Sequence, residues 1–146
     1  MTVTAGPFRR VLVGWDASAD AAEALTAAVS IVRGDGGHVV ALTVVPNPPA
    51  AEAADDRQAE RAALRRRAEE HFERLREAAA GVRMTLQIVE DRQVGRTVCD
   101  YAAEHGFDLL VLGRHGDGGA FHPRLGRVAE AAARASAIPV LLLSAP

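Results

Sequence analysis

Hydrophobic and polar residues follow two different periods along this chain. Short continuous apolar runs, rich in Val and Leu, are separated by longer segments in which apolar residues recur at helical spacing. Runs of the first kind predict strands buried on both faces, and segments of the second kind predict amphipathic helices. The predicted strands are 10–15, 38–45, 82–89, 108–112 and 138–143, and the predicted helices are 18–34, 55–80, 94–102 and 126–137.

The start of the first helix has two candidate N-caps. Ser18 and Asp20 both have side chains that accept a hydrogen bond from a helical amide, and Asp20 and Glu23 have the spacing of a capping box. Helical periodicity then predicts which residues face the core. They are Leu25, Val29 and Val32 in the first helix, Leu64, Ala68, Phe72, Leu75 and Ala79 along the second, and Val128, Ala132 and Ala135 in the fourth.

The charged residues of the second helix are expected to form a solvated face. Arg65, Arg66, Arg67, Glu69 and Glu70 mix both signs at helical spacing. A mixed pattern of this kind is typical of an exposed helix surface rather than of a binding surface for one ligand.

Strands that alternate with helices predict one α/β domain over residues 1–146. Short connections and right-handed crossovers give an open, five-stranded, Rossmann-like parallel sheet with helices on both faces. The composition, 49% hydrophobic and 25% charged, is near the average for globular proteins and indicates a packed core.

Charge and cysteine content limit the classes of partner. A net charge of -2 gives no overall field for nucleic acid or an anionic membrane, so neither is expected as a partner. The single Cys99 cannot form an internal disulfide, and its mid-helix position is typical of a small buried hydrophobic residue. No charged leader followed by an apolar run opens the chain, so we expect a cytoplasmic location.

Two loops are candidates for a ligand site. Parallel sheets of this type bind ligands beyond the carboxyl ends of the strands, near the point where strand order reverses. The loop after the first strand carries Asp16, and the loop after the fourth carries Gly113, Gly116 and Gly126. Glycines let backbone amides approach a ligand, and the helix that begins near Gly126 can direct its N-terminus at an anion. The pattern predicts a phosphate site.

Basic charge is concentrated in the second of these loops. Arg114, Arg124 and Arg127 are opposed there only by Asp117, in a chain whose total charge is negative. Arg127 lies in the first turn of the predicted helix, where a cation opposes the helix dipole by about 0.3–1 kcal/mol. Either a bound phosphate or exposure of the side chain to water would offset this cost.

Other chemistries find less support in the sequence. His115 and His122 lie too far from a Cys partner, and at the wrong spacing, to predict a metal site. The chain has no G-x-S-x-G elbow and no lysine for a Walker A motif, which argues against acyl transfer and P-loop chemistry. Asp16 and Asp117 are the only evident candidates for a general base, so a hydrolase is the least favoured function and no catalytic residue is assigned.

The loop and strand motifs resemble those of the universal stress protein family. Nucleotide-binding members carry G-x2-G-x9-G-[S/T] after the fourth strand, and Gly113, Gly116 and Gly126 match this spacing. The stretches VLVGWDAS, HVVALTVVP, VGRTVCDYAAEHGFDLLVLG and IPVLLL extend the resemblance over nearly the whole chain. The resemblance implies an adenine nucleotide alpha hydrolase-like fold and a stress-response regulatory protein that binds an adenine nucleotide, ATP above all, with Mg²⁺ accompanying the nucleotide. Slow hydrolysis of that ATP is the least favoured function.

The resemblance also implies a role for individual residues. Asp16 and the backbone at Val44 would hold the adenosine end. Gly113, Gly116 and Gly126 would hold the phosphates, together with Arg127 and Val128 at the start of the helix.

The chain departs from the family pattern at the phosphate end. The Ser or Thr that follows the last glycine is Arg127 here, and a frequent second Ser is Ala129. An alternative function therefore stays open, that of a dimeric interaction module without nucleotide. The apolar terminal strand is expected at an edge of the sheet, where pairing with a second copy would cover it. The resemblance likewise implies a homodimer.

Overall fold

The computed structural model describes residues 6–46, 55–115 and 126–146 of the chain. Strands and helices alternate throughout these residues. The strands are β1 Arg10–Gly14, β2 His38–Pro46, β3 Arg83–Asp91, β4 Leu109–Gly113 and β5 Val140–Leu143. The helices are α1 Ala19–Val32, α2 Asp55–Ala78, α3 Val94–Glu104 and α4 Arg127–Ala135.

All five strands pair in parallel in the order β3-β2-β1-β4-β5. The chain first builds outward from β1 through β2 to β3, then crosses back and places β4 and β5 on the other side of β1. Strand order therefore reverses between β1 and β4, and β3 and β5 form the two edges. The predicted open parallel sheet and the edge position of the terminal strand are both confirmed.

Helices cover both faces of the sheet, as predicted. Side chains alternate across it, so that Val11 and Val13 pack towards α1 and α2 while Leu12 packs towards α3 and α4. These three residues of β1 are fully buried, which explains why the strand reads as a continuous apolar run. The two resulting core layers contain Leu25 and Phe72 on one face and Val98, Leu110 and Ala132 on the other.

Ser18 is the N-cap of α1, and the expected capping box of Asp20 with Glu23 is wrong. The Ser18 Oγ accepts a hydrogen bond from the Ala21 amide at 3.2 Å, so Asp20 lies inside the first helical turn. The predicted inner face of α1 is confirmed, because Leu25, Val29 and Val32 are all buried.

Several predicted ends are wrong by about two residues. Helix α2 ends at Ala78, before Gly81 with its positive φ, and α4 ends at Ala135 because Ser136 is already extended. Ala135, at the last position of α4, is exposed rather than inward-facing, and the buried residues of that helix are Ala129 and Ala132. Strand β5 begins only at Val140, since Pro139 has no amide to donate to the sheet.

Helix α2 packs on the sheet through one narrow side. Ala68 and Phe72 are buried, and Arg61 and Arg65 both donate to the Glu90 carboxylate at the end of β3, at 2.7 and 2.8 Å. The rest of the charged run is exposed, as expected. No helix within the described parts of the chain is both long and apolar enough to cross a membrane.

Cys99 is a small core residue of α3, in agreement with its sequence environment. Its side chain packs with Val98 and Ala102 between α3 and the sheet, and it is 8% exposed. Burial, together with the neighbouring Asp100 carboxylate, raises the pKa of the Cys99 thiol. The thiol is thus kept in its protonated, less nucleophilic form.

Gly95 sets how closely α3 approaches α4, and this contact can be tested. A Cβ at Gly95 would lie 2.7 Å from the Ala131 Cβ. We expect Gly95→Ala to reduce the free energy of unfolding by about 1–2 kcal/mol, since overpacking outweighs the gain in helix propensity. Urea denaturation would measure the change, with Glu104→Ala on the exposed end of α3 as the control. Equal stability of the two variants would contradict the close approach.

Candidate functional site

The two loops singled out in the sequence leave neighbouring strands at the point where strand order reverses. One loop follows β1 and contains Asp16, and the other follows β4 at Gly113. The carboxyl ends of β1 and β4 lie side by side, because Val13 is the register partner of Val111. The sheet thus brings the two candidate loops to one edge, where open α/β sheets bind their ligands.

Asp16 shapes the tight turn that leads into α1. Its Oδ1 accepts a hydrogen bond from the Ser18 amide at 2.9 Å. Ala17 between them adopts φ 63°, a left-handed conformation that costs a residue with a side chain about 1–2 kcal/mol. The Asp16 hydrogen bond helps to hold the turn in this conformation, so the half-buried carboxylate is fixed at the end of β1.

The start of this turn is anchored through Trp15 and Thr43. The Trp15 amide donates to the Leu42 carbonyl at 2.9 Å, and the buried Thr43 hydroxyl donates to the Trp15 carbonyl at 2.7 Å. The indole Nε1 donates to the Ala68 carbonyl in α2 at 3.0 Å. Asp16 therefore projects from a backbone that two other elements hold in place.

Val44 lies within β2, directly after Thr43. It is 7% exposed, and its side chain packs in the core layer that faces α3. Pairing of β1 with β2 ends at Gly14 and Leu42, so the backbone at Val44 extends beyond the end of β1. This position puts the Val44 backbone next to the turn that carries Asp16.

Gly113 has a packing role that the sequence did not indicate. A Cβ at this position would lie 2.7 Å from the Asp20 Cβ and 3.0 Å from the Ala21 amide nitrogen. Glycine therefore lets the end of β4 lie directly against the first turn of α1. The next glycine of the motif, Gly116, lies outside the described residues.

A buried pair between Asp20 and His115 lies behind this contact. The Asp20 Oδ2 accepts from the His115 amide at 3.1 Å and lies 3.0 Å from the ring Nδ1. Its Oδ1 accepts from the Ala145 amide at 2.7 Å. Both side chains of the pair are 9% exposed. Because a carboxylate can only accept, Nδ1 carries the proton of this hydrogen bond.

These hydrogen bonds decide the charge of Asp20. Burial of the carboxyl opposes ionisation, but donation from the Ala145 amide, the His115 ring and the His115 amide outweighs it and holds the pKa of Asp20 below its ordinary value. Asp20 also lies in the first turn of α1, where the helix dipole favours a negative charge. Asp20 is thus an ionised carboxylate that accepts hydrogen bonds from three donors.

The N-terminus of α4 forms the other side of the site. Gly126 is its N-cap, and the Gly126 amide donates to the Arg114 carbonyl at 2.6 Å. As a glycine, this N-cap residue has no side chain with which to cap the helix. Arg127 is exposed, Val128 is half-buried against the core, and Ala129 is 1% exposed. The first turn of α4 consequently presents backbone amides and one guanidinium.

The sequence did not reveal the residues that support the site. Asp20 was read as a helix cap and His115 as a weak metal candidate, and nothing in the sequence pairs residues 95 positions apart. Trp15 and Thr43 were read only as strand residues. The described residues contain no group of three or more His, Cys, Asp or Glu side chains arranged to hold a metal, and His122, Arg124 and Asp117 lie outside them.

Comparisons with known proteins match this architecture. The model of the universal stress protein family matches residues 7–144. A comparison with curated protein sequences gives no significant match. Among solved structures, the universal stress protein UspA from Lactobacillus plantarum superposes with a TM-score of 0.83 at 23% identity, over 94% of this chain and 99% of its own.

Two further solved structures carry a nucleotide in their descriptions. A universal stress protein in complex with cAMP superposes with a TM-score of 0.68 at 21% identity, over 97% of this chain and 100% of its own. A family protein from Arabidopsis thaliana with AMP bound gives a TM-score of 0.67 at 18% identity, over 94% of this chain and 92% of its own. At these identities the structures establish a shared fold.

The Asp20 hydrogen bonds predict a pH-dependent contribution to stability. Asp20→Asn places an amide donor or a weaker acceptor opposite three donors, so we expect a loss of about 2 kcal/mol in the free energy of unfolding at pH 7. Because the pKa of Asp20 is lowered in the folded protein, its contribution is complete above the unfolded-state value and is lost as pH falls through the folded-state value. The difference in free energy of unfolding between the wild type and the variant should therefore begin to shrink as the pH falls below about 4.

Urea denaturation between pH 3 and 8 would measure this difference, with Asp100→Asn on the exposed face of α3 as the control. A constant difference between wild type and Asp20→Asn across the whole range would contradict the assignment of an ionised Asp20.

Proposed function

The chain belongs to the universal stress protein family, and on that premise we propose that it is a cytoplasmic stress-response regulator that binds an adenine nucleotide, with ATP the first candidate. The observation that carries the proposal is the α4 N-terminus, which lies at the exit of β4 and has as its N-cap Gly126, a residue without a side chain to cap the helix. Relatives described with cAMP and with AMP support an adenine nucleotide as the ligand class.

The phosphate end of the ligand would lie at the start of α4. First-turn amides that Gly126 has no side chain to cap, together with the helix dipole, favour a bound anion. Gly126 and Val128 would contribute backbone amides, with Gly113 and Gly116 on the loop that precedes them. Any Mg²⁺ would enter with the nucleotide, held by phosphate oxygens.

The side chain of Arg127 determines how strongly the phosphate end of the ligand binds. Loss of a hydroxyl bonded to a charged phosphate costs about 1.5–3 kcal/mol, whereas a charge-assisted pair with a guanidinium returns a similar amount. Arg127 is exposed at the first position of α4, so its side chain is free to extend over the amides of that turn. We propose that it takes the place of the family's Ser or Thr.

The adenosine end would lie between the turn after β1 and the projecting part of β2. Asp16 offers a fixed carboxylate as a hydrogen-bond acceptor, and the backbone at Val44 extends beside it. The anchoring of Trp15 by Thr43 keeps this side of the site in place before a ligand arrives. Such preorganisation lowers the entropic cost of binding.

One observation favours the second candidate, a dimeric interaction module without nucleotide. Neither Arg127 nor Ala129 has a hydroxyl to offer a phosphate, and Ala129 is buried at the third position of α4, with 1% exposure. A long cation at position 127 would then fill the phosphate space itself.

Nucleotide binding by wild type and Arg127→Ser separates the two candidates. Protein purified without added nucleotide would be denatured, any released ligand identified by mass spectrometry, and ATP then titrated by calorimetry. If Arg127 replaces the hydroxyl, wild type binds ATP and Arg127→Ser changes the affinity by no more than about tenfold. If Arg127 closes the site, only Arg127→Ser binds ATP, and the nucleotide proposal for the natural chain fails.

Asp16→Ala tests the adenosine end of the site. We expect it to weaken ATP binding by about 10- to 150-fold, the effect of removing a charged hydrogen-bond partner. Asp16→Asn is the matched control, because its amide oxygen can still accept from the Ser18 amide and preserve the turn. Calorimetry would give both affinities and urea denaturation both stabilities. Unchanged affinity in Asp16→Ala would remove Asp16 from the site.

We also propose that the protein forms a homodimer through β5. This strand is an edge of the sheet, and Leu141 at its centre is 37% exposed, the only large hydrophobic residue found exposed among the described residues. An exposed apolar edge strand favours pairing with another chain.

Charge at position 141 tests this dimer. Leu141→Arg should give a monomer by light scattering, because two guanidinium groups would be brought together at the interface. Gln87→Arg is the control, since Gln87 is exposed on β3 at the opposite edge. A dimer that survives Leu141→Arg but dissociates in Gln87→Arg would place the interface at β3 and reject the β5 proposal.

A further inference from the structure

The Asp20 carboxylate joins three segments that are far apart in the sequence. It belongs to the first turn of α1, it accepts from the amide and ring of His115 at the exit of β4, and it accepts from the Ala145 amide beyond β5. The last two partners lie 95 and 125 residues from Asp20. Asp20 is 6% exposed, so solvent contributes little to satisfying this carboxylate.

A second connection runs through the backbone beside it. The Arg114 amide donates to the Leu143 carbonyl at the end of β5, at 2.7 Å, and the Arg114 carbonyl accepts from the Gly126 amide at the N-cap of α4. A displacement of the residues after β5 would therefore disturb Asp20 on one side and Arg114 on the other. Both connections lead to the same place, the exit of β4 and the start of α4.

We propose that Asp20 is a positioning residue that couples residues 144–146, called the tail below, to the exit of β4 and through Arg114 to the start of α4. Its consequence for nucleotide affinity rests on the proposed function. If a nucleotide binds at α4, the coupling works in both directions. Docking of the tail then changes nucleotide affinity by the same factor by which the nucleotide changes the docking equilibrium of the tail. Pairing of β5 with a second copy would then change the nucleotide affinity of the ligand site.

The chemistry of Asp20 makes this coupling stronger than ordinary packing. A buried carboxylate that loses a donor is left as a partly unsatisfied charge, which has a much higher free-energy cost than a lost apolar contact. The His115 Nδ1 bonds to the Asp20 carboxylate at 3.0 Å, and Nε2 is buried without a partner among the described residues. Release of the tail would change the carboxylate on which that ring depends.

Ala145→Pro tests the coupling by replacing the amide hydrogen that Asp20 accepts with a carbon of the proline ring. Proline has no amide to donate to Asp20, whereas the matched control Ala145→Gly keeps the donor. Amide hydrogen exchange, measured by NMR on the full chain without ligand, should be about tenfold faster at His115 and Gly126 in Ala145→Pro than in Ala145→Gly. Equal exchange rates at these two amides in both variants would overturn the proposal.

Substitution of His115 tests the same coupling from the other end. His115→Asn keeps an amide donor near the position of Nδ1, whereas His115→Ala removes it. The Ala145 amide should exchange faster in His115→Ala and at close to the wild-type rate in His115→Asn. Wild-type exchange at Ala145 in both variants would overturn the proposal, since the ring would then have no influence on the tail.

Titration with ADP separates this inference from the proposed function. If both hold, Ala145→Pro binds ADP several-fold more weakly than Ala145→Gly, in line with the coupling between sites seen in proteins generally. If exchange at His115 and Gly126 responds to Ala145→Pro but no variant binds ADP, the coupling is supported and the nucleotide proposal is rejected. Equal ADP affinities in Ala145→Pro and Ala145→Gly would overturn the link between the tail and the ligand site.

Discussion

Burial of β1 and β4 side by side is the constraint on which the rest of the structure depends. The side chains of both strands are buried on the two faces of the sheet, so helices must cover it above and below. Crossovers then carry the chain outward from β1 in one direction and, after β3, back to the other side. The reversal leaves the loops after β1 and β4 as neighbours, and the candidate site is a consequence of how the core is covered.

Close approach of helices shapes the described part of the site. Gly113 lets the first turn of α1 lie against the end of β4, and Gly95 lets α3 lie against α4. Two helix N-termini are thereby held near the exit of β4, one capped by Ser18 and the other with a glycine at the N-cap. Gly113, which the sequence pattern selects as a phosphate-binding glycine, therefore also has a packing reason.

Charge divides this end of the sheet into two parts. Asp20 is a buried anion whose donors all come from the protein, and it stabilises the junction of α1, β4 and the tail. Arg127 is an exposed cation at the first position of α4, where the N-cap is a glycine without a side chain. The buried charge is suited to fixing the backbone, and the exposed one is suited to an external anion, which is the division expected of a ligand site on a rigid support.

The sequence by itself determined the fold class, the order of the elements and the faces of most helices. Apolar runs such as Val11–Val13 and helical spacing such as Leu25 and Val29 are local consequences of burial, so they are visible without the structure. Helix ends were less certain, because an extended Ser136 or a positive φ at Gly81 depends on what the chain meets next. Ala135 was assigned to the wrong side for the same reason.

Only the tertiary structure decided which distant residues meet. The motif glycines and Asp16 could be selected from spacing and resemblance, but the pair of Asp20 with His115, the bond from Thr43 to Trp15 and the contact of Gly113 with α1 could not. Each joins segments brought together by the crossover between β3 and β4 or by the register of neighbouring strands. Local sequence patterns report whether a residue is buried, whereas the partner of a buried polar group is set by strand order and by the approach of helices across the sheet.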